Sequence, residues 1–316
     1  MSLFKNIVLY RIGETSQFPD LKIFEELAQK AVFVPCEPTQ QLSVGFVPPR
    51  GLENGALVEN VGEQLIMQLK VERKAVPGGA VKAELEARCK KIEADTGRKP
   101  GRKAKAELKE EIILTLLPRA FSKFSGNTLW IDRKSRLLVV GAGSVRGAEA
   151  AVGAIVDLLA EANMPIILAP LNTQRSPAQV MADWLLAKEA PDTFVLERDV
   201  ELKSSDESKA SVRYSRHNLE LDEITNHIAE GKLPTRLALS WEGRVSFTLS
   251  DDLTLKKFDC ILESENADPS SDAFDADVAL TTGSLVVMLP ALLNAMGGEA
   301  VAEENTQEGV AADTAA

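Results

Sequence analysis

Two stretches in which apolar residues repeat at helical spacing, separated by a turn, constrain the fold of this chain more than any other feature of its sequence. Their apolar residues recur at spacings of three and four, which is typical of one face of a helix. These residues are Val81, Leu85, Cys89 and Ile92 in the first repeat and Leu108, Ile112 and Leu116 in the second. The intervening residues 96–102 contain Gly97, Pro100 and Gly101, and Pro118 ends the second repeat. The pattern therefore predicts a helical hairpin, with helices over about 81–95 and 103–117.

The rest of the chain alternates short apolar runs with turn residues, which is typical of strands and helices packed together. Strands are predicted at 4–12, 43–47, 64–71, 128–132, 136–140, 166–168, 193–196, 236–241 and 244–249. Further helices are predicted at 19–31, 144–162, 177–187, 222–231 and 284–296. Short turns join the two strands within 128–140 and within 236–249, so each pair forms a β-hairpin. We therefore predict an α+β fold with mostly antiparallel sheets.

The order of these elements divides the chain into four parts. Residues 1–75 together with 165–300 are expected to form β-rich central and base regions. Residues 76–126 form the helical hairpin and a tip, and residues 127–164 form a β-hairpin followed by a helix. Residues 300–316 contain no basic residue and little apolar surface to bury, so we expect a disordered acidic tail.

Composition excludes collagen-like, low-complexity and wholly disordered proteins. Apolar residues make up 45% and charged residues 26% of 316 residues, which is typical of a soluble globular protein. Three cysteines without a C-x-x-C pair favour a reducing compartment. The N-terminus lacks the basic start and apolar run of a secretory signal, and the most apolar stretch, 285–296, is shorter than the ~20 residues of a membrane helix. We therefore expect a cytoplasmic protein with no membrane-spanning segment.

Charge is distributed unevenly along the chain. The net charge is -11, which taken as a whole argues against a polyanionic partner. Residues 1–150, however, contain 24 Lys and Arg against 18 Asp and Glu, whereas residues 151–316 contain 12 against 29. Within 70–146 the counts are 19 basic and 9 acidic residues. A basic surface for phosphate groups is therefore expected in the first half, provided that its acidic residues face elsewhere.

The hairpin turn has the densest group of cations in the chain. These are Arg98, Lys99, Arg102 and Lys103. Few acidic residues stand at pairing distance along the helices, so charge alone leaves two interpretations open, a nucleic-acid contact and an ordinary solvated surface. Phe121 and Phe124 flank Lys123, where they suit either base stacking or core packing. A second group lies in the acidic half and consists of Arg213, Tyr214, Arg216 and His217.

Motifs for nucleotide binding and for nucleophilic catalysis are weak. Residues 141–147 are glycine-rich and follow a strand, but their spacing departs from G-x-G-x-x-G. Arg146 stands where the second glycine of a G-x-S-x-G motif around Ser144 would be, and no P-loop string occurs. His217 and His227 have no Cys or His partner at the spacing of zinc ligands. We predict no catalytic residue, no metal and no cofactor.

An acidic stretch leaves one enzymatic alternative open. Its carboxylates are Glu263, Glu265, Asp268, Asp272, Asp275 and Asp277. They fail as an EF-hand because Ala273 and Ala279 stand at positions 6 and 12 of the loop. Carboxylates do hold Mg²⁺ in nucleases, so a metal-dependent nuclease or other DNA-processing enzyme is the alternative function, and a solvated acidic face is its structural alternative.

Several strings of the sequence, in order along residues 4–300, resemble the bacterial RdgC family. They are FKNIVLYR (4–11), GFVPP (45–49), LLPRAFSKFS (116–125), WID (130–132), DEITNHIAEGK (222–232), LALSW (237–241), FDAD (274–277) and GGEA (297–300). The resemblance implies a recombination-associated protein that binds DNA without sequence preference, prefers duplex to single strands, and restrains RecA by occupying the DNA. It also implies a horseshoe-shaped subunit, two of which close into a homodimeric ring around the duplex in the nucleoid.

With the resemblance, the basic residues become candidate DNA contacts. Those of the first half are Arg98, Lys99, Arg102, Lys103, Arg119 and Lys123, and those of the second half are Arg213, Arg216 and His217. A ring of two subunits has two joints on one twofold axis, and each joint must be self-complementary. We assign one joint, a gate, to the tip that carries Phe121 and Lys123. The sequence does not identify the segment that forms the other joint.

Overall fold

A computed structural model of the chain describes residues 3–191, 193–261 and 271–300. Within them the elements in chain order are β1 (Asn6–Ile12), α1 (Leu21–Lys30), β2 (Leu42–Val47), β3 (Val58–Val61), β4 (Gln64–Lys74), α2 (Gly78–Thr96), α3 (Arg102–Leu116), β5 (Ser122–Asp132), β6 (Leu137–Val140), α4 (Val145–Glu161), β7 (Leu168–Pro170), α5 (Pro177–Ala187), β8 (Phe194–Ser204), β9 (Ser211–Tyr214), α6 (Asp222–Ala229), β10 (Lys232–Trp241), β11 (Val245–Ser250), β12 (Leu255–Cys260) and α7 (Ser271–Ala295). A 3₁₀ turn, Leu117–Arg119, connects α3 to β5. The predicted α+β class is confirmed, and so is the helical hairpin.

The strands form one large sheet in the order β2-β4-β5-β6-β1-β12-β11-β10-β8-β9, with β3 paired to β4 and β7 paired to β1. Each pairing between these strands is antiparallel, as predicted. Strand β1 joins the two halves because residues 8–11 pair with β6 while Asn6 and Ile7 pair with β12. The division of the chain into four parts stays a prediction.

Side-chain alternation along the strands builds a core on each face of the sheet. In β1, Ile7 and Leu9 enter a core shared with α5, α6 and α7, whereas Val8 and Tyr10 enter a second core covered by α1 and α4. Helix α4 is N-capped by Ser144, whose hydroxyl accepts a hydrogen bond from the Gly147 N–H at 3.1 Å. The glycine-rich residues 141–147 therefore form a strand-to-helix turn with an ordinary N-cap.

Two elements extend well beyond their predicted bounds. Strand β5 begins at Ser122 instead of residue 128, because its exposed first half pairs with β4 from Lys74 to Lys70. Helix α7 begins at Ser271 instead of residue 284, and Val278, Thr281 and Thr282 of its first half are buried. The strands β3, β9 and β12 are absent from the prediction, and each has six residues or fewer.

Helix α7 is longer than the apolar stretch 285–296, from which we predicted that no segment is long enough to span a membrane. Residues 273–295 form 23 helical residues that are apolar enough, by length and composition alone, to cross a membrane. Of the most apolar window in this helix, 44% is buried inside the fold. Helix α7 therefore packs as the core helix of a folded domain, with part of its surface exposed.

Candidate nucleic-acid interface

The helical hairpin is anchored only at its base. Val81 of α2, Ile112 of α3 and the following Leu117 are the buried residues of this region, whereas the residues between them are exposed or half-buried. Arg88 pairs with Glu84 of its own helix at 3.1 Å and links α2 to α3 through Glu111 at 3.6 Å. From Val81 to Thr96 the helix rises about 22 Å. The hairpin therefore holds its turn some distance from the sheet.

The turn of the hairpin presents its cations to solvent. Gly97 closes α2 in the left-handed conformation, with φ of 72° and its N–H donating to the Glu93 carbonyl at 2.8 Å. Lys99 lies 3.8 Å from Glu93, and its side chain is 75% exposed. In the described part of the chain, Arg98, Arg102 and Lys103 have no ion-pair partner. Arg98 lies in the turn and Arg102 and Lys103 begin α3, so this end of the hairpin has three uncompensated cations that are suited to phosphate contacts.

The other candidates of the first half lie at the base of the hairpin. Arg119 ends the 3₁₀ turn and is exposed, and Phe121 is 92% exposed. Lys123 is the second residue of β5 and stands opposite Arg73 of β4. Helix α3 separates this group from the hairpin turn by about 22 Å. The candidates of the first half thus form two clusters at opposite ends of the hairpin.

A groove between the hairpin and the end of β4 adds cations that sequence reasoning missed. It has a volume of about 710 Å³ and an apolar floor that includes Leu42, Val81 and Leu117. Arg73, Lys74, Lys82 and Lys109 also line it. Lys74 is engaged, because its ammonium donates to the carbonyls of Cys36 and Glu37.

Phe124 is neither buried nor free of local contacts. Its ring is 59% exposed, and the Lys70 ammonium lies 5.0 Å from its centroid. The core interpretation of the two phenylalanines is therefore wrong, because both face solvent. Their rings are available to bases or to another protein surface.

The start of β5 is fixed by a buried carboxylate. Glu72 accepts hydrogen bonds from the Ser122 hydroxyl and from the Cys36 N–H, the latter at 2.7 Å. These hydrogen bonds lower the pKa of Glu72 below its usual value, and the bond from Ser122 has the largest effect. The same surroundings, with burial as the main cause, raise the pKa of the Cys36 thiol. Glu72 therefore joins the 36–37 segment to the strand that carries Lys123.

The second group surrounds strand β9. Arg213 lies in β9 opposite Glu201, whereas Arg216 and His217 follow the strand. The N–H of Arg216 donates to the Asp199 carboxylate at 2.7 Å, and the His217 ring contacts Tyr214 edge-on at 6.1 Å between centroids. All three candidate side chains are exposed.

Strand register gives Arg213 basic neighbours that lie far from it in the sequence. A recess of about 220 Å³ on the sheet is lined by Arg213, Arg236, Lys256 and Lys257. Two of these are compensated, because Arg236 lies 3.1 Å from Glu201 and Lys257 lies 3.8 Å from Asp199. Within the described residues, Arg213 and Lys256 have no ion-pair partner. The recess adds Arg236, Lys256 and Lys257 to the candidate interface.

One subunit does not bring the two groups into one patch. Strands β5 and β9 are seven positions apart in the sheet, which corresponds to a path of about 34 Å across the strands. A ligand that contacts both groups at once must therefore be long or must lie between subunits.

The acidic stretch gives little support to a metal site. Glu263, Glu265 and Asp268 lie outside the described residues, as do the side chain of Asp272 and the predicted tail after Ala300. Asp275 is paired with Arg50 at 2.6 Å. Among the residues that the structure describes, no group of three or more His, Cys, Asp or Glu side chains is arranged to hold a metal ion.

Comparison with known proteins gives one consistent result. The family model described as "Putative exonuclease, RdgC" matches residues 2–299. The recombination-associated protein RdgC of Dechloromonas aromatica (strain RCB) is 41% identical over 306 residues, covering 94% of this chain and 98% of the relative. Proteins of the same name from Herminiimonas arsenicoxydans and Proteus mirabilis (strain HI4320) are 40% and 36% identical, with coverage of 94% and 95% of this chain and 98% and 100% of the relatives.

Proposed function

The chain belongs to the RdgC family of recombination-associated proteins, and on that premise we propose that it binds DNA without sequence preference and restrains RecA-mediated recombination. The observation that supports this best is the hairpin turn, where Arg98, Arg102 and Lys103 are exposed and uncompensated in a chain of net charge -11. Such cations gain from neutralising phosphates, because each contact releases condensed counterions.

In this proposal, duplex DNA is the preferred ligand and single strands bind more weakly. The backbone supplies most of the contacts, so base sequence has little influence on affinity. The subunit is a horseshoe, and two subunits close into a ring. The cations of the hairpin and of the β9 region line the hole, and the acidic residues of the second half face outward. A ring also accounts for the separation of the two groups, because both then face one enclosed duplex.

Phe121 is the proposed contact at the gate of the ring. A phenyl ring that is 92% exposed costs free energy in water, and burial against a second copy removes this cost. Lys123 and Arg73 lie beside it, so the gate is basic and closes next to the DNA.

RecA restraint follows from occupancy in this proposal, without a catalytic step. DNA that is covered by the ring is unavailable to RecA, and the protein is expected to localise with the nucleoid in the cytoplasm. Variants that lose DNA affinity should lose inhibition of RecA strand exchange in parallel. Inhibition that persists in a variant unable to bind DNA would instead indicate direct contact with RecA.

A titration of duplex DNA at several salt concentrations tests the binding proposal. About six phosphate contacts predict a slope near -5 in a plot of log affinity against log salt concentration. Duplexes of unrelated sequence should give the same affinity. A slope near zero, or no binding at low salt, would contradict the proposal.

The alternative function is a metal-dependent nuclease, which agrees with the word "exonuclease" in the description of the matching family model. Incubation of supercoiled plasmid with the protein and Mg²⁺ or Mn²⁺ separates the two functions. The binder retards the plasmid without cutting it, whereas the nuclease nicks it. The control is the Asp275→Asn/Asp277→Asn variant, in which nicking by the acidic stretch should disappear.

A further inference from the structure

Asp199 of β8 is an acidic residue that lines the recess of the second basic group. One oxygen of its carboxylate, Oδ1, accepts a hydrogen bond from the Arg216 N–H at 2.7 Å. The other oxygen, Oδ2, lies 3.8 Å from the Lys257 ammonium. Because the loop after β9 and strand β12 are remote in the sequence, this one side chain joins two basic residues that the chain itself does not bring together.

Irregularities in two strands bring these residues together. In β8, residues 197–199 stand opposite the single residue Ala238 of β10. In β12, residues 257 and 258 stand opposite Phe247 of β11. Such bulges change the direction of side chains and are frequent beside functional sites. The contact between Asp199 and β12 therefore depends on a bulge in each strand.

The two basic residues that Asp199 contacts have an unusual backbone conformation. Arg216 and Lys257 both lie in the left-handed region, with φ of 57° and 50°. Residues other than glycine adopt this conformation rarely, because it costs free energy. Each is supported by a hydrogen bond from its own N–H, which Arg216 donates to Asp199 and Lys257 donates to the Asn6 side chain at 3.3 Å.

The residue after Arg216 is attached to the same strand. The His217 N–H donates to the Arg198 carbonyl at 3.0 Å, and the His217 ring contacts Tyr214 edge-on. Two successive residues of the loop are thus bonded to β8. The bond to Asp199 is the one that a change of side chain can remove.

We propose that Asp199 is a positioning residue of the second basic group. It holds the loop 215–217 and Lys257 in place before a ligand binds. Arg213 and Lys256 line the same recess, so a phosphate chain meets several cations whose positions are already set. Such preorganisation lowers the cost of ordering side chains on binding. The role rests on the proposed function, and it means that one carboxylate strengthens the binding of a polyanion.

Charge and position predict opposite effects of substitution at Asp199. If charge alone mattered, any neutral residue would strengthen DNA binding, because a carboxylate repels phosphates. Asp199→Asn and Asp199→Ala remove the same charge, but the asparagine oxygen can still accept the hydrogen bond from the Arg216 N–H. The ratio of the two affinities therefore measures the effect of position without that of charge.

Equilibrium titration with duplex DNA at several salt concentrations measures this ratio. Asp199→Asn should bind at least as tightly as the wild type. Asp199→Ala should bind about two- to tenfold more weakly than Asp199→Asn, because the loop must then be ordered on binding. Its plot of log affinity against log salt concentration should be shallower by up to about one unit, since the phosphate contact of Arg216 is weakened. A loss of stability alone leaves this slope unchanged.

Glu201 provides the matched control. It lines the same recess, and its carboxylate pairs with Arg236 at 3.1 Å. Arg236 lies directly opposite on β10, so its backbone is held by the sheet and not by this carboxylate. Glu201→Gln and Glu201→Ala should therefore bind DNA with equal affinity, at least as tightly as the wild type.

The position of the loop can be measured without DNA. The chain has two histidines, so a His227→Gln variant assigns the imidazole NMR signals of His217. The ring of Tyr214 lies 6.1 Å from that of His217 and shifts these signals. We expect Asp199→Asn to keep the wild-type positions of the signals, and Asp199→Ala to move them toward those of a free histidine.

Three results would overturn the inference. The first is equal DNA affinity of Asp199→Asn and Asp199→Ala. The second is an Asp199→Ala protein in which the His217 signals do not move. The third is a Glu201→Ala protein that is weaker than Glu201→Gln by the same factor. If the wild type binds no DNA, the proposed function fails, and the His217 signals still decide whether Asp199 holds the loop.

Discussion

At the scale of single residues, Gly45 illustrates how closely the segment after α1 packs on the sheet. A Cβ atom at this position would lie 2.4 Å from the Phe33 Cα atom and 2.5 Å from its backbone nitrogen. Because backbone cannot rotate away as a side chain does, Gly45→Ala should destabilise the protein by about 1–3 kcal/mol, as overpacking does. Thermal or urea unfolding measures this change.

The matched control for Gly45 is Gly153 in α4, where a Cβ atom meets nothing within 4 Å. Gly153→Ala should stabilise the protein by about 0.5–1 kcal/mol, because alanine loses less backbone entropy in a helix. Equal effects of the two substitutions would contradict the close approach of Phe33 to β2.

Glu72 gives a pH-dependent prediction at the same scale. Its pKa is lowered in the folded protein by the Ser122 hydroxyl and the Cys36 N–H, so its stabilising contribution is present above the unfolded value of about 4.3 and is lost as pH falls through the folded pKa. Glu72→Gln should therefore lower the melting temperature at pH 7, and the difference from wild type should shrink below about pH 4. Exposed Glu53→Gln is the control. A difference that is as large at pH 3 as at pH 7 would refute this account.

Not all candidate residues were accessible to sequence reasoning. Arg98, Lys99, Arg102 and Lys103 stand out because they are adjacent in the chain, and a local charge count finds them. Arg236 and Lys256 do not, because they become neighbours of Arg213 only through the pairing of β8 with β9 and β10, and of β11 with β10 and β12. Register depends on which face of each strand is buried and on the turns that join the strands, so a count of charges along the chain does not bring these residues together.

At the scale of elements, the sequence predicts those that have strong periodicity and clear ends. Helix α5 occupies residues 177–187 as predicted, since Pro177 suits the first turn of a helix. The first half of α7 was missed because Asp275, Asp277, Thr281 and Thr282 stand among its apolar residues, although Val278, Thr281 and Thr282 are buried in the fold. The exposed start of β5 was missed because its strand conformation comes from pairing with β4, not from burial.

The hairpin carries a quantitative prediction at this scale. Replacing Arg98, Arg102 and Lys103 together by alanine removes three uncompensated charges from the exposed end of the hairpin, so stability should be unchanged. The salt slope of DNA binding should become shallower by almost three units, and affinity should fall equally for all sequences. Equilibrium binding at four or more salt concentrations measures both quantities.

The control for the hairpin removes three other exposed cations, Lys30, Arg133 and Lys134. The last two lie at the end of β5 remote from Lys123, about 34 Å along the strand. This variant should keep the slope of the wild type. If both triple variants lose the same affinity, binding depends on net charge alone and the hairpin has no special role.

At the scale of the whole molecule, the proposed DNA binding by an acidic chain depends on the unequal distribution of its charge. The first 150 residues have an excess of six basic residues, while the remainder has an excess of 17 acidic residues. With a Debye length of about 8 Å at physiological salt, phosphates that lie 34 Å apart experience the local surface rather than the net charge. In the proposed assembly, the two separated basic groups would therefore act together only on one extended polyanion.

Enclosure of the DNA predicts a difference between circular and linear molecules that simple surface binding does not. A closed ring can leave linear DNA by sliding off an end, but it leaves a circle only when a joint opens. After a salt challenge that cancels phosphate contacts, wild type should stay on circular plasmid and leave the linear form. Phe121→Ala should weaken the gate and release the circle, with initial affinity nearly unchanged because no cation is removed, whereas truncation of exposed Leu52 to alanine should have no effect. Equal retention on both topologies by the wild type would show that the duplex is held on an open surface, and the exposed Phe121 would then need another partner.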